Sequence, residues 1–229
     1  MVLAGRTMAI TLRKVGRYED ALASAEEHHR IAVNRYSPEH EHSLAAAMTL
    51  ANTRRVTGDL VAARDLASEA VERYLRVFGE EHPLSLAASV NYAIVLRALG
   101  ECDQALDVDE RSHNRMTAAL GAGHGYTLCA ASNLANDLAE TGDTAGARQL
   151  SETTLEASRR HRGDRHPYTL VCAVNAALDL VAAGDARTGQ ERLGTAIAAL
   201  TETLGADHPE TLAAGSGKRA DCDIEPPPT

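Results

Sequence analysis

A histidine recurs at a fixed interval along most of this 229-residue chain, and that interval constrains the fold more than any other feature. Each histidine is followed four residues later by a leucine, and all but the last are followed eighteen residues later by a glycine. A fixed period of this size is the signature of an array in which one supersecondary unit is repeated. The histidines, 42 residues apart, are His40, His82, His124, His166 and His208.

Each period predicts two helices. Between His82 and Gly100, a proline stands where the first helical turn tolerates a missing N–H, apolar residues recur at helical spacing, and a glycine ends the helix. A second helix then runs to Gly121. Because the connections are only a few residues long, the two helices must be antiparallel. The small residues that let them approach closely are Ala51, Ala93, Ala135 and Ala177.

This pattern resembles the tetratricopeptide repeat in its 42-residue form, which is seen in kinesin light chains and in many bacterial regulators. The matching positions are the small alanine, the glycine between the helices, and the alanine five residues after that glycine. The resemblance implies an all-α fold, a right-handed α-solenoid of about five helix-turn-helix repeats with a short C-terminal capping helix. The predicted solenoid spans 1–217, with repeats at 2–36, 37–78, 79–120, 121–162 and 163–204 and a cap at 205–217.

The last residues depart from the repeat. The segment 218–229 ends in three consecutive prolines, which cannot continue a helix, and we predict a flexible tail. The sequence leaves open whether this tail fills the groove of the array. The tail is also similar to the ending of actinobacterial repeat proteins, including those of FxSxx-COOH peptide-modification gene clusters. In those families an NTP-hydrolysing signalling module commonly precedes the repeats, and the uncapped first helix pair suggests that the chain is cut from a longer protein.

Composition disfavours several classes of function. Acidic residues outnumber basic ones by 32 to 23, which disfavours a nucleic-acid partner because phosphate binding relies on Lys and Arg. No segment approaches the roughly 18 apolar residues of a membrane span, and the N-terminus is too short and polar for a signal peptide. The four cysteines form no C-x-x-C pair and fit a reduced, intracellular protein. We predict a cytoplasmic protein with no nucleic-acid and no membrane partner.

We predict no catalytic residue, no cofactor and no metal. The sequence has no phosphate-binding loop, no G-x-S-x-G and no H-E-x-x-H motif. The periodic histidines are too far apart to share one ion, and we interpret them as local structural residues that bond backbone groups where each first helix begins. A denser group has no cysteine nearby, as a zinc site would favour, and is predicted not to bind metal: His28, His29, His40 and His42.

The resemblance places the candidate site on the first helices, which line the concave groove of such a solenoid. In tetratricopeptide families, asparagines two residues before the small alanine hold the backbone of a bound peptide, since an amide both donates and accepts. Thr49 replaces asparagine at this position in the second repeat. Arginines on one register, beginning with Arg13, favour an acidic or carboxylate-terminated ligand. The predicted groove residues are Asn52, Arg55, Asn91, Arg97, Asn133, Asn136 and Asn175.

The sequence therefore predicts a protein-interaction scaffold that binds a peptide or protein segment in its groove, as the sensor or adaptor part of a larger bacterial regulator. Three alternatives stay open. In the first, the asparagines bond to neighbouring helices and only maintain the pitch of the array. In the second, the chain is a self-association module that forms a homo-oligomer, which an exposed apolar edge near residues 2 to 12 would favour. Metal binding or catalysis is the third.

Overall fold

The computed structural model describes the backbone of residues 2–226 and the side chains of residues 4–226. Over these residues the prediction of an all-α fold is confirmed, since eleven helices pack in sequential pairs. None of the described helices is both long enough and apolar enough to span a membrane. The helices are α1 (Val2–Lys14), α2 (Tyr18–Arg35), α3 (Glu41–Thr57), α4 (Leu60–Phe78), α5 (Pro83–Ala98), α6 (Cys102–Leu120), α7 (Gly125–Glu140), α8 (Thr144–Arg162), α9 (Pro167–Ala182), α10 (Ala186–Leu204) and α11 (Pro209–Gly215).

The chain divides into two compact units. Unit 1 comprises residues up to Val108 together with the tail from Asp223, and unit 2 comprises Asp109–Cys222. Within unit 1, each helix from α1 to α5 packs on the next, and within unit 2 the same holds from α7 to α11. Odd-numbered helices up to α9 are the first of a pair, and α11 lies within the stretch predicted to form the cap.

The periodic histidines cap the helices that they precede. The first turn of a helix leaves backbone N–H groups without partners, and each histidine accepts one such N–H through Nδ1. In α5, the donor is the N–H of Leu84, the second residue of the helix, which is a group that an N-cap side chain typically accepts. The prediction that these histidines bond backbone groups at helix starts is confirmed. The N–H···Nδ1 bond is 3.2 Å long at His40, His82, His124, His166 and His208.

Glycines with a positive φ follow the helices. Gly79 follows α4 with φ 85°, and its N–H bonds the carbonyl of Leu75. Gly100 has φ 82° in the turn between α5 and α6. Side chains with a Cβ rarely adopt such φ values, so glycine is needed here for its backbone freedom.

Small residues set the distance between the two helices of a pair. In α10, glycine replaces the alanine of the other repeats, and the structure shows why. A Cβ at Gly189 would lie 2.6 Å from Cγ2 of Val181 and 2.8 Å from the carbonyl oxygen of Ala177, so even a methyl group would not fit. The predicted contact alanines of the first helices have no exposed surface: Ala51, Ala93, Ala135 and Ala177.

Replacing Ala93 with leucine is expected to lower the free energy of unfolding by about 1–3 kcal/mol, because the added atoms overpack a filled contact. Ala93 is fully buried in a cluster with Leu96 and with Ala105 of the paired helix. Chemical denaturation followed by circular dichroism measures the change. Ala98→Leu in the same helix, where the side chain is exposed, is the matched control and should stay within about 0.5 kcal/mol. Equal losses in the two variants would contradict the packing argument.

Candidate functional site

The chain's own tail lies against the first helices. From Lys218 to Pro226 it has no regular secondary structure. Nevertheless Ala220, Cys222 and Ile224 are buried, with 8%, 1% and 2% of their surface exposed. This differs from the flexible tail predicted for 218–229, because side chains of the first helices hold the segment through hydrogen bonds and ion pairs. Residues 227–229 lie outside the described part of the chain.

In unit 2, two asparagines each bind one tail residue through both of its backbone groups. Asn133 donates from Nδ2 to the carbonyl of Cys222 at 3.0 Å and accepts the N–H of Cys222 on Oδ1 at 2.9 Å. Asn175 makes the same pair of bonds with Ala220, at 2.9 and 3.0 Å. One turn after Asn133, Asn136 donates a further bond of 3.0 Å to the carbonyl of Ala220. The amides therefore read the backbone of this segment.

In unit 1, Asn91 binds Ile224 in the same way. Its Nδ2 donates to the Ile224 carbonyl at 2.7 Å, and its Oδ1 accepts the Ile224 N–H at 2.9 Å. Along the chain the asparagines are 42 residues apart and the tail residues that they bind are two apart, in reverse order. An extended chain presents the same side at every second residue, which fits the interval of two between Ala220 and Cys222 within unit 2. We call Asn91, Asn133 and Asn175 the asparagine series.

One period before Asn91 the asparagine is replaced by Thr49, and two residues after Ile224 the tail has a proline, Pro226. The same arithmetic pairs Thr49 with Pro226, and proline has no backbone N–H to offer to an asparagine acceptor. Arg6 replaces the missing donor amide: its Nη1 donates to the Pro226 carbonyl at 2.8 Å, and its Nε donates to Thr49 Oγ1 at 3.0 Å. The residue opposite the proline thus needs no asparagine.

Two carboxylates of the tail meet arginines in unit 1. Arg13 donates to both Asp223 and Glu225, and Nη2 of Arg55 donates to Oδ1 of Asp223 at 2.9 Å. Nδ2 of Asn52 lies 3.3 Å from Oε1 of Glu225. Arg13 and Arg55, two members of the arginine register that predicted an acidic ligand, therefore lie against acidic residues of the chain itself.

The Asp223 carboxylate is ionised where it lies. Burial by itself would raise the pKa of Asp223, but the positive charges of Arg13, Arg55 and Lys14 outweigh that effect and lower the pKa below its ordinary value of 3.8. Only 3% of the Arg13 side chain and 6% of the Asp223 side chain are exposed. The pair is therefore a buried ion pair, which is strongly destabilised when one partner is removed.

In unit 2 the tail supplies the cation and the helix the anion. Arg219 donates to Asp179 of α9, whose side chain is 1% exposed, and also to Oδ1 of Asn136 at 3.4 Å. A buried aspartate in the middle of a helix is costly without a partner. The pairing of Asp179 with Arg219 supplies that partner.

Six of the seven predicted groove residues bond the tail, and Arg97 lies half-buried in the last turn of α5. The alternative role in maintaining pitch also finds a contact, since Nδ2 of Asn175 lies 3.4 Å from Ser132 Oγ of the preceding first helix. Sequence reasoning did not assign Arg6 or Asp179 to the site. Arg6 does not recur with the period, and Asp179, which follows Asp137 by one period, pairs with Arg219 of a tail that lies outside the repeat. The six that bond the tail are Asn52, Arg55, Asn91, Asn133, Asn136 and Asn175.

Three of the four cysteines, Cys129, Cys172 and Cys222, are buried in unit 2. The neighbouring Cys129 thiol and burial raise the pKa of Cys222 well above 9.0. Burial raises the pKa of Cys172 to about 11. The thiolate is the reactive form of cysteine, so both side chains are held in an inert state.

Alkylation of the native chain at pH 8 is expected to modify Cys102 first, because that side chain is only partly buried. Cys172 and Cys222 should react only as the structure opens, because they are both buried and protonated. Mass spectrometry of tryptic peptides over time measures each site separately, and labelling in denaturant provides the reference rate. If Cys222 were modified as fast as Cys102, the tail would not occupy its place on the helices in solution.

We searched residues 2–226 for a metal site and for a cavity that could bind a ligand. No group of three His, Cys, Asp or Glu side chains there could hold a metal ion. A cavity of about 520 Å³ is lined by residues of α8, α9 and α10 and of the turn between α8 and α9. The arginines on its lining, Arg159, Arg165 and Arg192, form ion pairs with carboxylates. The contacts of the tail are more specific than either of these.

A family model described as a tetratricopeptide repeat matches residues 43–118 and 126–193, which is more than half of the chain. No curated protein sequence matches the chain significantly. Three solved structures resemble its fold, and identities this low carry no further conclusion. The TPR-like repeats of a Podosopora anserina kinesin light chain are 22% identical with a TM-score of 0.66, and the match covers 88% of this chain and 95% of that one. BtubC (BKLC) from P. vanneervenii is 18% identical with a TM-score of 0.66, and the match covers 86% of this chain and 78% of that one. A Rap protein complexed with Competence and Sporulation Factor is 12% identical with a TM-score of 0.73, and the match covers 86% of this chain and 53% of that one.

Proposed function

The chain belongs to the tetratricopeptide repeat family, and from this premise we propose that it is a scaffold that binds an extended segment of a partner protein on its first helices. Repeats of this family generally bind proteins and are typically non-catalytic. One observation carries the proposal. Each member of the asparagine series bonds both the N–H and the C=O of one tail residue, Asn91 within unit 1 and Asn133 and Asn175 within unit 2.

Backbone recognition of this kind accepts many sequences. Each amide-to-backbone bond contributes about 0.5–1.5 kcal/mol net, and part of that gain is offset by the entropy lost when a flexible segment is ordered. The asparagine series therefore supplies direction and register, whereas side chains around it must supply most of the specificity. The tail shows what those side chains accept, since it uses the same amides that a partner would use.

The finer role that we propose is that of a sensor or adaptor in a larger bacterial regulator, which responds when a partner segment displaces the tail. The sequence resemblance to bacterial repeat regulators supports it. So does the similarity of fold to the Rap protein, whose structure contains a bound Competence and Sporulation Factor.

The test compares three full-length baits in a proteome pull-down. The first carries Arg219→Ala, Asp223→Ala and Glu225→Ala, which loosen the tail. The second adds Asn91→Ala, Asn133→Ala and Asn175→Ala to these changes. The third instead adds Asn114→Ala, an exposed position of α6, as the matched control. Circular dichroism establishes that all three are folded.

We expect a partner that the first and third baits capture and the second loses. If all three baits capture the same proteins, the asparagines have a structural role and the proposal fails. The captured segment can then be mapped by peptide arrays, which should show that its side-chain sequence matters less along the asparagine series than at the positions that face charged residues.

Self-association is a second candidate, and one observation favours it. Met8 and Val15, seven residues apart and therefore on one face near α1, are 55% and 54% exposed. Their neighbour Ala9 is fully buried. Light scattering of the wild type against Met8→Gln with Val15→Gln distinguishes the two roles, because only self-association predicts that the molar mass falls in the variant.

A further inference from the structure

We propose that unit 1 selects one class of ligand: an extended acidic segment in which two carboxylates flank a single aliphatic residue and a proline follows. Asp223, Ile224, Glu225 and Pro226 are the chain's own copy of this pattern, and a partner segment must carry the same pattern to replace them. This inference rests on the proposed function and names the ligand class for the same site. The residues that form this part of the site, the acidic-segment seat, are Arg6, Arg13, Thr49, Asn52, Arg55 and Asn91.

The spacing of the two carboxylates is determined by one guanidinium group. In an extended chain, side chains two residues apart point to the same side and lie about 6.8 Å apart along the chain. Both carboxylates converge on Arg13, with Nη1 bonded to Asp223 and Nη2 bonded to Glu225. Arg55 holds the second oxygen of Asp223. A segment with a single carboxylate, or with carboxylates on adjacent residues, would leave one of these donors without its partner.

The residue between the carboxylates must be apolar. Ile224 is 2% exposed, and both of its backbone groups are taken by Asn91. A polar side chain at this position would be buried without a partner for its own hydrogen bonds, which is costly. A smaller apolar side chain would leave a cavity, so a large aliphatic residue fits best.

The position after the second carboxylate favours an imino acid. Thr49 provides no amide at the place where the asparagine series would accept an N–H, and Arg6 donates to the carbonyl instead. Pro226 has no N–H to leave unsatisfied. A residue with an N–H at this place would need another acceptor.

The local charge opposes the charge of the whole chain. The chain carries a formal net charge of −9, yet three cations of the seat, Arg6, Arg13 and Arg55, lie within 4 Å of the tail carboxylates, and Lys14 beside the seat lies 4.0 Å from Asp223. Arg13 in particular is 4% exposed and would be costly to bury opposite a neutral or basic segment. Discrimination therefore comes from the penalty on the wrong ligand as well as from attraction to the right one.

The experiment uses the full chain with Asp223→Asn and Glu225→Gln, so that its own tail competes less well. Two fluorescent peptides are titrated by anisotropy. The acidic peptide has the sequence of residues 218–226 with serine in place of Cys222. The matched neutral peptide also replaces Asp223 and Glu225 by their amides. We expect the acidic peptide to bind at least about tenfold more tightly. In a receptor that also carries Arg13→Gln and Arg55→Gln, this preference should fall to about threefold or less.

Amide hydrogen exchange at Ile224 of the receptor shows whether its own tail has opened, and circular dichroism shows that each receptor is folded. Equal binding of the two peptides overturns the ligand class and leaves the proposed function standing. Failure of both peptides to bind an open receptor overturns the proposed function itself. If Ile224 stays as protected as in the wild type, the carboxylates do not hold the tail and the inference is overturned. A preference that survives Arg13→Gln with Arg55→Gln also contradicts it.

Discussion

Replacing Arg13 with methionine is expected to release the tail from unit 1. The substitution leaves the carboxylates of Asp223 and Glu225 without their shared cation, and breaking a buried ion pair from one side costs about 3–5 kcal/mol. The tail can relieve this cost by moving its carboxylates into water, so the loss should appear as local opening before global unfolding. Hydrogen exchange at the Ile224 amide, which is bonded to Asn91 in the native structure, should accelerate by about a hundredfold or more.

Two variants control this prediction. Arg17→Met removes an arginine whose pair with Asp20 is exposed, at 64% and 55% of the two side chains, and should change exchange at Ile224 little. Adding Asp223→Asn and Glu225→Gln to Arg13→Met should recover part of the protection, because neutral amides no longer require the cation. If the triple variant opened as readily as Arg13→Met alone, the ion pair would not be the cause of the effect.

Replacing Asn133 with alanine is expected to free Cys222 in unit 2. The variant loses both backbone bonds to Cys222, which together contribute about 1–3 kcal/mol, so the open fraction should rise roughly tenfold to a hundredfold. Alkylation of Cys222 at pH 8 reports this opening directly, because that thiol is buried and protonated in the closed state. Asn133→Asp should open the tail further than Asn133→Ala, because it places an unpaired negative charge at a fully buried position opposite the Cys222 carbonyl oxygen.

Asn114→Ala is the matched control for the asparagine, since its side chain is exposed on α6. It should leave alkylation of Cys222 unchanged. Circular dichroism of all three variants separates local release from loss of helix. Should Cys222 stay protected in Asn133→Ala while the helices remain folded, the asparagine would not be what holds the tail.

The repeat architecture could be predicted from local pattern because its causes are local. A histidine caps the N–H two residues on, a glycine ends the helix with positive φ, and a small residue lets the paired helix approach. Each of these depends on neighbours in sequence or one repeat away, so the period of 42 reveals them all. The asparagine series belongs to the same class, since an amide at a regular place on successive first helices is visible in the period alone.

The partner of that series could not be predicted in the same way. Arg13 and Asp223 are 210 residues apart in sequence, and the tail has neither a repeat nor helical periodicity. Read by itself, a segment with three prolines and alternating charge is typical of a flexible end. It takes an ordered position only because the folded first helices bring amides and arginines to where its backbone and carboxylates lie.

The sequence by itself determined the helix pairs, their caps and the places where asparagines recur, because each follows from spacing along the chain. The resemblance to tetratricopeptide repeats implied that those asparagines bind a backbone. The tertiary structure alone decided what those side chains bind when no other protein is present. The physical reason is that buried hydrogen bonds and ion pairs form between groups that are near in space, and no rule of spacing links residues 218–226 to the helices that hold them.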